Sequence, residues 1–263
     1  MKEILNNVVG GRYYVLNSLG KGGASTVYKV KDIRSGNVYA LKQYITSDPA
    51  NKEKFMEGME KELSVLKYTS HPVLPKIYNI IKEEERFFLI MEYVEGMNLK
   101  HYVETRGKLK QNQLVSIMEQ VCSGLYCLHS MEPPVVYRDL KPSNIILMDD
   151  GKVKLIDFGI AKRYNHEIFT GESAYGTKGF AAPEQIGDRK GISLYNTDIR
   201  TDIYGIGTTL YFLKTGKLFA GKVKGIMPLK MKLLIKKCTE INPDLRFQSC
   251  LEVLCIISSM KRK

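Results

Sequence analysis

Three residues of this 263-residue chain, Asp139, Asn144 and Asp157, have types and spacing suited to holding a cation and moving a proton. Asp139 and Asn144 sit in a short polar loop within Val136-Tyr137-Arg138-Asp139-Leu140-Lys141-Pro142-Ser143-Asn144-Ile145-Ile146-Leu147. An apolar segment runs into the loop and another leaves it, so Ile145, Ile146 and Leu147 are expected to anchor its far side. Asp149-Asp150-Gly151 is a turn signal, and Val153, Leu155 and Ile156 read as the returning strand. That strand delivers Asp157-Phe158-Gly159. Asp139 and Asp157 are thus expected at the ends of neighbouring β-segments, with Asn144 between them. Asp157 and Asn144 offer hard oxygen ligands, which suit Mg²⁺. Asp139 is left to accept a proton from an incoming hydroxyl.

The elements before this loop are strand-like. Tyr14 and Leu16 alternate with less apolar neighbours and lead to Leu19-Gly20-Lys21-Gly22-Gly23-Ala24-Ser25-Thr26-Val27. Tyr28, Val30 and Asp32 continue an alternating strand, Arg34-Ser35-Gly36-Asn37 is a turn, and Val38 to Gln43 is a third strand. A glycine-rich loop between two antiparallel strands can lay backbone N–H groups over phosphates, because Gly20 and Gly22 place no side chain in the way. No Gly-Lys-Ser or Gly-Lys-Thr follows, so this is not a P-loop, and a dinucleotide fold would require the loop to open a helix. A plain hairpin turn is the ordinary alternative for the glycines taken alone. Lys42 follows Tyr39, Ala40 and Leu41, which turns its ammonium toward a cleft under the glycine loop, where a lone lysine is more often a solvated surface group. Phe55, Met59, Leu63 and Leu66 define one face of a helix over about Lys52 to Lys67. Glu62 lies beside that face, placed to pair with Lys42, or to remain solvated with Glu57 and Glu60. Ser70-His71-Pro72 stops the helix, and His71 reads as a structural loop residue.

Ile77 to Ile81 and Phe87 to Met91 are two further strands around a charged turn. Periodicity is lost over Glu92 to Gly96, where a linker is expected between a small β-rich lobe (about 1–94) and a larger helical one (about 97–263). Backbone groups there would suit a flat heterocycle such as adenine. Gln113 to His129 is a strongly amphipathic helix with Leu114, Met118, Val121, Leu125 and Leu128 on one stripe. His129 at its end suggests a capping role. The polar stretch from Ala161 to Gly179 is too long for an ordinary connection. It holds Thr170, Ser173, Tyr175 and Thr177 and reads as a switch segment. Thr201 to Thr215 is a very apolar helix closed by Gly216, and shorter helices are expected near 227–239 and 249–260.

Length and a hydrophobic content of 44% fit a globular chain with a large core. No run approaches the ~20 apolar residues of a membrane-spanning helix, and the N-terminal residues lack the apolar core of a signal peptide. Cys122, Cys127, Cys238, Cys250 and Cys255 are odd in number and show no CxxC spacing, which points to reduced, mostly buried thiols and a cytoplasmic compartment. The net charge of +12 admits a nucleic-acid or membrane-surface partner. A lysine-rich solvated surface and a polyphosphate site account for it more simply, since the lysines are spread along the chain. The densest cluster, Lys214 to Lys237, is interrupted by apolar residues that read as helix core.

Taken in order, the glycine loop, Lys42, Glu62, the loop of Asp139, Asp157-Phe158-Gly159 and Ala182-Pro183-Glu184 resemble the eukaryotic-type protein kinase family over nearly the whole chain. The Asp-Leu-Lys-Pro-Ser-Asn spelling resembles the Ser/Thr branch, and the ending Ala-Ala-Pro-Glu-Gln resembles bacterial members. The resemblance implies an α+β bilobal fold with one helix in the small lobe. It implies ATP-dependent phosphorylation of Ser/Thr hydroxyls on proteins, with Mg²⁺ or Mn²⁺ as the metal, no nucleic-acid partner, and a transient homodimer for autophosphorylation in trans. Leu19, Gly20, Lys21, Gly22, Gly23, Ala24, Ser25, Thr26 and Val27 would cover the nucleotide. Lys42, held by Glu62, would contact the α- and β-phosphates. Ala40, Met91 and the peptide groups of Glu92 and Val94 would surround adenine. Asp139 would orient and deprotonate the hydroxyl, Lys141 would neutralise the γ-phosphate, and Asn144 and Asp157 would hold the metal. Glu184 and Arg246 would form a buried ion pair, and Asp202 would brace the catalytic loop.

Arg138 is implied to bind a phosphorylated segment, with Thr170, Ser173 or Thr177 as the acceptor. Thr177 is the least favoured, because it matches a threonine that contacts the catalytic loop. The chain departs from the family pattern at Ser25 (the third loop glycine), at Tyr137 (usually histidine) and in the short region between Gly216 and Arg246. Three other readings compete. A pseudokinase scaffold conflicts with the presence of Lys42, Asp139, Asn144 and Asp157. A small-molecule phosphotransferase lacks an ending like Gly176 to Glu184. The third is a basic nucleic-acid binder.

Overall fold

The computed structural model describes residues 4–21, 25–44, 63, 67, 69–83, 86–158, 162–163, 176–187 and 195–261. The chain divides into two compact units, Met1–Ser70 with Pro75–Glu95, and His71–Leu74 with Gly96–Lys263.

The first unit is built on a six-stranded antiparallel sheet of β1 (Val8–Val9), β2 (Tyr13–Lys21), β3 (Ser25–Asp32), β4 (Val38–Tyr44), β5 (Ile77–Glu83) and β6 (Arg86–Glu92), in the order β1-β2-β3-β4-β6-β5. Period-two alternation turns Thr26, Tyr28, Val30 and Asp32 inward along β3. The alternation of Tyr14 and Leu16 does not mark the buried face of β2. Tyr13 and Val15 pair with Asp32 and Val30, which puts them on the buried face. Leu16 is the extra residue of a bulge between Val15 and Asn17, and a second register shift makes Leu19 extra between Ser18 and Gly20. Both leucines are exposed. Tyr13, Val15, Tyr28, Val30, Leu41, Phe88 and Ile90 form the core of this unit with Ile4 and Val9. Asp32 closes the following turn. Its buried carboxylate accepts from Arg12 Nη2 at 2.7 Å, Ser35 Oγ at 2.8 Å and Arg34 N at 3.0 Å. These donors, the Arg12 guanidinium foremost, hold its carboxyl well below the usual range. Of the expected helix from Lys52 to Lys67, only Leu63 and Lys67 are described, and both are helical.

The second unit is mainly helical. Its helices are α1 (Leu99–Arg106), α2 (Gln111–His129), α3 (Pro183–Ile186), α4 (Ile199–Thr215), α5 (Leu229–Cys238) and α6 (Cys250–Ser258). The apolar stripe of α2 is fully buried at Leu114, Met118, Val121, Leu125 and Leu128, and the helix begins two residues before the expected Gln113. It packs on α6 and α4, and α4 packs on α5. Asp198 caps α4 by accepting from Arg200 N, and Gly216 ends it in the left-handed conformation at φ 73°. Helix α1 carries no strong apolar periodicity and was not foreseen. Asn98 caps it, and only Leu99 and Val103 are buried. Strands β7 (Met97–Asn98), β9 (Ile145–Leu147) and β10 (Val153–Leu155) form a small sheet in the order β10-β9-β7. Strand β8 (Val135–Val136) pairs with β11 (Lys162–Arg163). His71 is structural as expected, since its Nδ1 accepts from Val73 N and its Nε2 bonds to Ser123 Oγ. All five cysteines are free; Cys122, Cys238 and Cys250 are buried, Cys127 is partly so and Cys255 is exposed. No described helix is long and apolar enough to cross a membrane.

Gly207 permits the close crossing of α4 and α5. A Cβ there would lie 2.7 Å from both Cys238 Cβ and Thr239 Cγ2. Overpacking costs about 1–3 kcal/mol, while alanine gains about 1 kcal/mol in helix propensity. Gly207→Ala is therefore expected to lower stability by about 1 kcal/mol in urea unfolding. An unchanged midpoint would mean that the helices separate at no cost.

Candidate active site

The loop between β8 and β9 is held from below by α4. Asp202, in the first turn of that helix, is buried and accepts from Tyr137 N at 2.8 Å, Arg138 N at 2.7 Å and the His129 ring at 2.8 Å. His129, expected to cap α2, instead joins Asp202 to Cys250, whose sulfur lies 3.5 Å from Nδ1. Arg138 adopts φ 67° and Asp157 φ 66°, left-handed values that are unfavourable for residues with a Cβ. The strain at Arg138 coincides with the backbone N–H groups that Asp202 holds.

Asp139 sits above this support. Its carboxylate accepts from Lys141 Nζ at 2.7 Å, Asn144 Nδ2 at 2.9 Å and Thr177 Oγ1 at 3.0 Å. Lys141 also donates to Thr177 Oγ1 at 2.7 Å. Thr177 therefore contacts the loop, as the sequence implied. Asn144 Nδ2 further bonds Asp139 O at 2.9 Å, and Asn144 O accepts from Ile156 N at 2.9 Å. With its amide nitrogen committed to Asp139, Asn144 has its side-chain carbonyl oxygen as the atom that could meet a cation. Among the described residues, no three His, Cys, Asp or Glu side chains gather as a metal site. An ion here would take an amide oxygen, one carboxylate and oxygens from outside the protein, a set that suits Mg²⁺.

Tyr137 links the loop to the strand that carries Asp157. Its hydroxyl donates to Ile156 O, and its ring meets Phe158 edge-on with centroids 5.1 Å apart. Burial above all, then the charges of Asp157, Asp139 and Asp202, pushes its phenol well above the usual value.

On the first unit, Leu19, Gly20 and Lys21 end β2, and Ser25, Thr26 and Val27 begin β3. Gly22, Gly23 and Ala24 lie outside the described residues, as do Glu62, Thr170 and Ser173. Lys42 is buried on β4, opposite Val27 and Leu89, with its ammonium 5.0 Å from the Tyr44 ring centroid. Ala40 and Met91 are buried and paired across β4 and β6. Glu92 N donates to Lys76 O at 2.8 Å.

Sequence reasoning missed Gln185, whose Nε2 donates to Arg138 O at 2.7 Å while its Oε1 accepts from Ala182 N at 2.9 Å. No periodicity marks it; its place after Pro183-Glu184 is the only signal.

The match to known proteins covers this whole arrangement. The protein kinase domain model matches residues 13–252, and the chain belongs to that family. The serine/threonine-protein kinase PrkC of Bacillus subtilis is 33% identical over 216 residues, which are 82% of this chain and 32% of that protein. A probable serine/threonine-protein kinase of Clostridium perfringens is 30% identical, covering 98% of this chain and 40% of its own length. PknL of Mycobacterium tuberculosis, also a serine/threonine-protein kinase, is 33% identical over 80% of this chain and 50% of its own. The chain thus spans half or less of the length of these relatives.

Glu184 and Arg246 form the buried pair that the sequence implied. Arg246 Nη1 and Nη2 reach the two carboxylate oxygens at 2.6 and 2.8 Å, and Thr201 Oγ1 adds a bond at 2.9 Å. The guanidinium also donates to the carbonyls of Glu240, Ile241 and Arg200. Glu184→Ala is expected to cost about 3–5 kcal/mol, because it strands a buried cation. Glu184→Ala with Arg246→Met should be markedly milder in the same denaturation assay; equal losses would mean that charge burial is not the cause.

Proposed function

We propose that this chain is an ATP-dependent Ser/Thr protein kinase that transfers the γ-phosphate of ATP to protein hydroxyls. The observation that carries the reading is the Asp139 carboxylate, fixed at once by Lys141, Asn144 and Thr177. Asp139 accepts the proton of the substrate hydroxyl as its oxygen bonds to the γ-phosphorus and the bridging P–O bond breaks, releasing ADP. Lys141, half-buried beside it, neutralises charge on the phosphoryl oxygens. Asn144 and Asp157 hold Mg²⁺, which supplies charge neutralisation on the phosphates when bound; Mn²⁺ would serve the same oxygen donors.

Residues of the sheet unit bind the nucleotide in this reading. Leu19 to Val27 cover the phosphates. A Cβ at Gly20 would meet no described atom within 4 Å, so the backbone there is open on that side. Lys42 contacts the α- and β-phosphates and pairs with Glu62. Adenine lies against Ala40 and Met91 and bonds to the peptide groups of Glu92 and Val94. Protein substrates are the partners, and the free thiols support a cytoplasmic location.

Asp139→Asn should lower kcat by about 10²–10⁴-fold with nucleotide binding retained, as read by labelled ATP with a generic protein substrate and by nucleotide titration. Full activity in that variant would overturn the assignment. Autophosphorylation between Ala161 and Gly179, in trans within a transient homodimer, is part of the proposal. Mass spectrometry after incubation with Mg-ATP should find phosphate on Thr170 or Ser173 in the wild type and none in Asp139→Asn. Thr177, already bonded to Asp139 and Lys141, should stay unmodified. An unmodified segment in the wild type would remove this part of the proposal.

A further inference from the structure

The outward side of α5 and the segment before it are not used by the catalytic reading. The expectation that the apolar residues within the Lys214–Lys237 cluster are helix core holds for only some of them. Met231, Leu234 and Ile235 are buried, whereas Leu229 is 70% exposed, Leu233 56% and Ile226 fully so. Leu229 and Leu233 stand one turn apart and form a ridge along the exposed side of the helix. Lys232 and Lys236 flank that ridge on one side, and Lys230 and Lys237 flank it on the other. Lys230 reaches Ser259, and Lys237 lies 4.4 Å over the Phe247 ring, so these two long side chains are splayed away from the ridge. Lys222 and Lys224 precede Ile226 and are exposed. No acidic residue occurs between Asp202 and Glu240.

We propose that this ridge, Leu229 and Leu233 flanked by Lys230, Lys232, Lys236 and Lys237 and preceded along the chain by the exposed Lys222, Lys224 and Ile226, docks on an anionic lipid bilayer surface. The charges suit phosphate headgroups, and each lysine near such a surface adds attraction. Leu229 and Leu233 are exposed along one side of the helix, which suits insertion among headgroups with lysines at phosphate level. An acidic protein partner would have to supply matching hollows, and RNA would leave the protruding leucines without an apolar environment. This inference does not depend on phosphotransfer.

The test is co-sedimentation of the full 263-residue chain with phosphatidylcholine vesicles, with and without phosphatidylglycerol. Binding is expected only with phosphatidylglycerol and should weaken as salt is raised. Lys232→Glu with Lys236→Glu should weaken it about tenfold or more. Leu229→Ser with Leu233→Ser should also weaken it about tenfold. Both double variants change exposed residues, so their unfolding midpoints should match the wild type. Binding indifferent to the anionic lipid would overturn the proposal. So would binding that tracks the lysines but not the leucines, or retention on poly-glutamate or RNA without sedimentation on vesicles.

Discussion

The catalytic loop depends on one buried carboxylate. Asp202 accepts two successive backbone N–H groups, those of Tyr137 and Arg138, and thereby holds Arg138 at φ 67°. A left-handed backbone at a residue with a Cβ costs about 1–3 kcal/mol. Each hydrogen bond to a charged acceptor contributes about 1.5–3 kcal/mol. Two such bonds outweigh the strain, so the loop keeps a shape that its own sequence disfavours. Asp202 belongs to α4, and α4 is itself fixed by the Asp198 cap, the Gly216 terminus and a seat on α2 and α5. The position of Asp139 therefore rests on helix packing beneath the loop.

The Asp139 carboxylate shows how local constraint becomes chemistry. Three donors from the loop and from Thr177 fix its oxygens, leaving little freedom of rotation. Such fixing lowers the cost of orientation at the moment of reaction. Thr177 and Gln185 both come from the segment that runs into α3, and they bond Asp139 and Arg138 O. The Glu184–Arg246 pair then fastens that segment to the helical unit. Loop and segment are thus held by one another and by a common base.

Much of this was legible in the sequence. The stripe of α2, the glycine that ends α4, the hairpin from Ile145 to Leu155 and the residues around Asp139 follow from period, turn chemistry and motif spelling. What escaped has specific physical causes. The alternation through Leu16 did not reveal the two bulges, at Leu16 and Leu19, that each add a residue to β2, because a bulge is set by pairing rather than by composition. Leu229 and Leu233 looked like core because they are apolar and helical. Only the packing of α4 against Met231, Leu234 and Ile235 decides which face of α5 is covered. His129 looked like a cap because its long-range partners, Asp202 and Cys250, lie 73 and 121 residues away along the chain.

Tyr137 departs from the family spelling, and its surroundings give the physical reason why an aromatic serves there. It occupies the crossing between the loop of Asp139 and the strand of Asp157. Its ring packs edge-on against Phe158, and its hydroxyl bonds to Ile156 O, immediately before the strained Asp157. The phenol is a neutral donor, and burial with three nearby carboxylates opposes its ionisation. The two left-handed residues, Arg138 and Asp157, are therefore tied through a single side chain. Distortion at one would be transmitted to the other through a packed ring and one hydrogen bond, which keeps Asp139 and Asp157 in register.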